Sequence, residues 1–85
     1  PTITVLYFAA ARTCIGLSSE RISLPEGGLP LSQLGKLLEE RHEDTGLGKV
    51  LQRSGWSVND EMVEEEGVVL RGGEEVGVIC PVSGG

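Results

Sequence analysis

Three features of the sequence predict an α+β fold: a mixed sheet of about five strands packed on one main helix plus a short helix. Apolar residues alternate with period two in several short stretches, as in strands with one buried face. One leucine-rich stretch repeats instead with helical spacing. Turn residues rich in Gly and Pro separate the stretches. At 85 residues the chain has room for a single core, so a large multi-part enzyme is excluded.

Thr2 to Ala9 reads as the first strand, with Ile3, Val5 and Tyr7 on one face and Thr4, Leu6 and Phe8 on the other. Its second half is apolar on both faces. That suits a central strand covered on each side, or one whose outer face meets a partner. The β pattern ends over Ala9 to Arg12, and Gly16 marks a turn. Ser18 to Leu24 is a second, half-exposed strand, and Pro25 to Gly28 is a turn. Pro30 suits the first position of the main helix, where Leu31, Leu34, Leu37 and Leu38 form the buried stripe. Glu39, Glu40, Arg41, His42 and Glu43 fall on its solvated side, so His42 is read as a surface histidine.

Gly46 ends this helix, and Leu47, Val50 and Leu51 repeat the spacing in one or two further turns. Trp56 to Asn59 is a short strand with Trp56 in the core. Asn59-Asp60 is a turn pair that tolerates left-handed backbone, and Met62-Val63 returns as another strand. Glu64 to Glu66 is a solvated polar loop, and Arg71 to Glu74 is a turn. Glu75 to Pro81 is the last strand, with Val76, Val78 and Cys80 on one face and Gly77, Ile79 and Pro81 on the other. The order β-β-α-β-β-β is that of a β-grasp, in which the last strand pairs in parallel beside the first at the sheet centre.

Composition narrows the function. Seven basic residues stand against thirteen acidic ones, for a net charge of −6, which argues against nucleic acid and against an anionic membrane surface. No apolar run approaches the ~20 residues of a membrane span, and no secretory leader pattern is present, so a cytoplasmic protein is expected. Cys14 and Cys80 lack a CxxC frame and have one histidine for company, so no metal site is expected. They are read as reduced thiols, with a single bridge left open. Arg71-Gly72-Gly73 lacks the frame of a phosphate loop.

The remaining feature is the tail. The domain is placed at residues 1–81, and Val82-Ser83-Gly84-Gly85 is expected to be a flexible extension. A trailing glycine pair can be mere slack. Yet without Cβ atoms Gly84 and Gly85 can thread a passage too narrow for other residues, leaving a carboxylate open to reaction. Four extended residues reach ~13–14 Å, enough to enter another protein's active site.

These residues resemble the small, sulfur-carrying subunit of molybdopterin synthase, within the ubiquitin-like sulfur carriers. The resemblance spans nearly the whole chain. It rests on Val5-Leu6-Tyr7-Phe8-Ala9 with Arg12, on Val58-Asn59 before Met62-Val63, and on Gly72 to Val76 leading to Pro81-Val82-Ser83-Gly84-Gly85. The family has a proline where Cys80 stands here.

The resemblance implies that an E1-like enzyme uses ATP to adenylate the carboxylate of Gly85, and that a sulfur donor turns it into a thiocarboxylate. It implies a large catalytic subunit, in a heterotetramer of two small and two large chains, that takes in Pro81 to Gly85. There the sulfur passes to cyclic pyranopterin monophosphate. It also implies an apolar partner interface at Phe8, Met62 and Ile79, with Arg12 nearby, and no cofactor bound by this chain itself. Covering of that face from within remains the alternative. A sulfur carrier for thiamine synthesis or tRNA thiolation, or a ubiquitin-like protein modifier, remains the alternative function.

Overall fold

A computed structural model describes residues 1–81. Strands β1 (Thr2–Tyr7), β2 (Ser19–Ser23), β4 (Gly55–Val58), β5 (Glu61–Val63) and β7 (Glu75–Ile79) form a five-stranded sheet in the order β2-β1-β7-β4-β5. Short strands β3 (Leu29–Pro30) and β6 (Val69–Leu70) pair separately. Helices α1 (Ala9–Ile15), α2 (Leu31–Arg41) and α3 (Leu47–Gln52) complete the fold. As expected, β1 and β7 pair in parallel at the centre, with Val5 opposite Val76 and Tyr7 opposite Val78. All other neighbours in the sheet are antiparallel.

The period-two pattern sets the two faces. Ile3, Val5, Tyr7, Ile22, Trp56, Val76 and Val78 are buried. On the same core lie Leu31, Leu34 and Leu38 of α2 and Leu47 and Val50 of α3. Each fully buried aliphatic side chain contributes roughly 1.5–3 kcal/mol of hydrophobic stabilisation. Gly46, with φ 85°, takes the left-handed turn into α3 that a side chain would resist. Asn59 and Asp60 both have positive φ at the β4–β5 hairpin, as their residue types foretold.

Three local readings change. Residues 9–15 form a helix rather than an irregular turn; Gly16, at φ 73°, closes it by donating its N–H to the Arg12 carbonyl. Two turns of helix with one buried residue, Ala11, carry too little amphipathic pattern to be legible. Pro30 precedes α2 instead of opening it, because Leu29 and Pro30 are engaged with Leu70 and Val69. A two-residue pairing of this kind has no period to detect.

The third change concerns His42, which is half-buried rather than a free surface residue. Its Nε2 lies 2.6 Å from Glu20 Oε1, and the same carboxylate accepts from Tyr7 Oη at 2.5 Å and from Arg41 Nε at 3.2 Å. His42 ends α2 with its own N–H bonded to the Leu38 carbonyl, which turns the ring toward the sheet edge and off the solvated face. The Tyr7 and His42 rings meet edge to face, centroids 6.2 Å apart. This cluster ties β1, β2 and the end of α2 together. Burial would raise the Glu20 carboxyl pKa, but hydrogen bonds from Tyr7, His42 and Arg41 outweigh it and hold it below the usual 4.5. Burial, and then the bond to Glu20, push the Tyr7 phenol well above its ordinary value.

Two outcomes test this core. Leu34→Ala, at a position with no exposure, should lower unfolding free energy by about 2–5 kcal/mol in urea titration. Glu20 has a depressed folded-state pKa, so its stabilisation is full above pH 4.5 and fades as pH falls through the folded value. Glu20→Gln should therefore cost about 1–2 kcal/mol at pH 7, and the gap to the parent should narrow toward pH 3 in unfolding titrations.

Candidate functional site

The sequence points to two regions, a tail and a sheet face. Val82, Ser83, Gly84 and Gly85 lie outside the described residues. Pro81, the last described residue, is exposed and follows directly on β7 and Cys80. The strand that supplies the tail is therefore pinned on both edges, by β1 and by β4.

On the face turned away from the helices, strand register brings three of the four proposed interface residues together. Leu6 lies opposite Gly77, Gly77 opposite Ser57, and Ser57 opposite Met62. In the next row Ile79 lies opposite Gly55. Phe8 follows β1 directly and approaches Gly77 together with Ile79. The Met62 side chain leans over Gly55, its Cε 3.2 Å from where a Cβ would sit. Phe8, Ile79 and Met62 thus make one apolar stripe, with Phe8 46% and Met62 64% exposed. Two large apolar side chains thus stand exposed on this face of the sheet.

The fourth residue, Arg12, sits one helical turn beyond Phe8 in α1. Its N–H reaches the Phe8 carbonyl at 3.4 Å, and its side chain is exposed. Helix α1 places a positive charge near the apolar stripe, though the sequence reading had no helix there. Cys80 is half-buried on the inner side, and its thiol donates to the Phe8 carbonyl at 3.3 Å. Cys14 is likewise half-buried, and both are free thiols.

Sequence reasoning overlooked the small residues under the stripe, Gly55 and Gly77. An isolated glycine inside a strand pattern was the available signal, since it marks a close approach of other groups. One open surface cleft lies between α2 and α3, holds about 430 Å³, and is walled by charged side chains including Lys36, Glu39, Glu43, Asp44 and Lys49. No group of three metal-ligating side chains occurs among the described residues, and no described helix is long and apolar enough to cross a membrane. Trp56 is in the core, its Nε1–H donating to Glu65 at 3.2 Å, so one carboxylate of the acidic loop is engaged in packing.

The sequence and the fold match known proteins. A molybdopterin synthase sulfur carrier subunit from Mycosarcoma maydis is 46% identical, covering 100% of this chain and 95% of its own length. The human protein of the same name is 40% identical, covering 98% and 93%. Among solved structures, a molybdopterin converting factor subunit 1 from Pyrococcus furiosus, so assigned provisionally, superposes with a TM-score of 0.74 at 31% identity, covering 95% of this chain and 98% of that one. SAMP1 from Haloferax volcanii has the same fold, with a TM-score of 0.82 at 20% identity over the full length of both chains. Residues 5–85 match the ThiS family, and with full-length relatives at this identity the chain belongs to that family.

Proposed function

We propose that this chain is the sulfur carrier subunit of a molybdopterin synthase. The observation that carries the reading is the full-length similarity to sulfur carrier subunits at 46% and 40% identity. A sheet that presents Phe8, Met62 and Ile79 beside the point where the chain leaves β7 supports it.

In this reading the Gly85 carboxylate attacks the α-phosphate of ATP on an E1-like enzyme and displaces pyrophosphate. The acyl adenylate then has a good leaving group. Sulfur from a donor displaces AMP and leaves a thiocarboxylate, a strong and exposed nucleophile. The large catalytic subunit docks on the apolar stripe and admits Pro81 to Gly85 into its active site. There the sulfur is handed to cyclic pyranopterin monophosphate, twice per dithiolene. This chain supplies the acyl group, the reach and the docking face; acid, base and cation groups come from its partners. Arg12 would meet an acidic group at the edge of the partner surface. Assembly is two small with two large subunits, in the cytoplasm.

The division of labour explains the charge balance. A net charge of −6 speeds encounter with basic partner surfaces at low salt.

Intact-mass analysis tests the reading. After incubation with ATP, an E1-like partner and a sulfur source, the chain should be heavier by the exchange of one oxygen for sulfur. Removal of Gly85 should abolish that shift and molybdopterin formation while leaving the unfolding midpoint nearly unchanged, since the buried core residues run from Ile3 to Val78. Molybdopterin production retained after this deletion would refute the carrier role. Phe8→Asp and Ile79→Asp should each weaken binding to the large subunit about tenfold or more by titration calorimetry, because each places a charge in a desolvated contact. Parent-like binding by both would remove the interface assignment. Stable isopeptide conjugates to lysines, with no thiocarboxylate, would point instead to a protein modifier.

A further inference from the structure

Gly77 occupies the middle of the central strand β7, where glycine weakens pairing and leaves a gap in the side-chain pattern. Its backbone is ordinary strand, outside the positive-φ region that would require glycine. What requires it is space. A Cβ at this position would lie 2.5 Å from Ser57 Oγ, 3.3 Å from Ile79 Cδ1 and 3.4 Å from Phe8 Cε2. Three side chains converge over one missing one, and Gly77 is buried although it faces away from the helices.

The Phe8 main chain is fixed independently. Its carbonyl accepts the N–H of Ala11 at 3.1 Å, the N–H of Arg12 at 3.4 Å and the thiol of Cys80 at 3.3 Å. The next residue, Ala9, is held at φ 49°, a left-handed conformation that alanine adopts only under constraint. With the backbone pinned, only the side-chain torsions of Phe8 are free, and the ring settles where a surface receives it. That surface is the bare backbone of Gly77, with Ile79 beside it.

We infer that Gly77 is a positioning residue for partner binding: its missing side chain is the seat that lays the Phe8 ring over β7, against Ile79, so that both present one continuous apolar surface. The inference rests on the partner face proposed above and deepens it. A Cβ alone would meet Phe8 Cε2 at ordinary contact distance, so it is a branched residue at 77, with atoms beyond Cβ, that would lift the ring. Ser57, directly opposite Gly77, closes the far side of the seat, so the ring cannot escape a new side chain by sliding across the strand.

The test uses the full chain and the large subunit. In the parent, nuclear Overhauser contacts should join the Phe8 ring protons to the Gly77 Hα protons. Gly77→Val should remove the ring from β7 and weaken binding about tenfold, in a chain that still melts cooperatively though at a lower temperature, because the new side chain must displace the Ser57 hydroxyl. In a Phe8→Ala background the same substitution should cost about twofold or less, since the ring it displaces is gone. If the valine variant does not fold, Gly77→Val combined with Ser57→Ala, which removes the nearest clash at 2.5 Å, should give the same coupling to Phe8. Absence of the Phe8–Gly77 contacts, parent-like binding by the residue-77 variants, or equal loss in both backgrounds would overturn the seat. Parent-like binding by Phe8→Ala itself would overturn the partner face and the seat together, whereas a loss there without coupling to residue 77 overturns the seat alone.

Discussion

Parallel pairing of β1 with β7 places strands separated by most of the chain side by side at the sheet centre. The inner residues Val5, Tyr7, Val76 and Val78 become the middle of the core, buried by α2 and α3. The outer residues Leu6, Gly77, Phe8 and Ile79 become neighbours on the opposite face. The same pairing brings the Cys80 thiol to the Phe8 carbonyl. Contacts of such long sequence separation are costly to close and are maintained by the burial they permit. The core and the outer apolar face therefore depend on one register: a shift of one residue would exchange the inner and outer side chains of the strand.

The two faces divide the work. The inner face carries the aliphatic side chains and the Tyr7–Glu20–His42–Arg41 cluster, which secures the sheet edge to the end of the main helix. The outer face gives up strand-forming side chains at Gly55 and Gly77 and leaves Phe8 and Met62 in water. Those features weaken an isolated domain, and the proposed carrier role gives them a use as a docking face.

The fold was legible wherever a period ran long enough. The strand alternation at Ile3, Val5 and Tyr7, the leucine stripe of α2 and the Asn59-Asp60 turn were read from residue type and spacing. Helix α1 escaped because its seven residues bury one side chain, and the β3–β6 pair because two residues have no period. His42 was misjudged because its helical position says where its Cα points and not that Glu20, twenty-two residues earlier, waits across the gap.

Family resemblance supplied Met62; the residue pattern by itself determined the α+β class, the order of the long strands and the main helix, the central position of the first and last strands, and Phe8 and Ile79 as members of the outer set. Those are consequences of local periodicity and residue chemistry, which travel along the chain. Tertiary structure alone decided that the three side chains form one stripe, that Gly77 lies bare beneath Phe8, and that Cys80 and Arg12 both meet the Phe8 carbonyl. Distances across strands depend on register and twist, which arise only when segments far apart in sequence pack against one another.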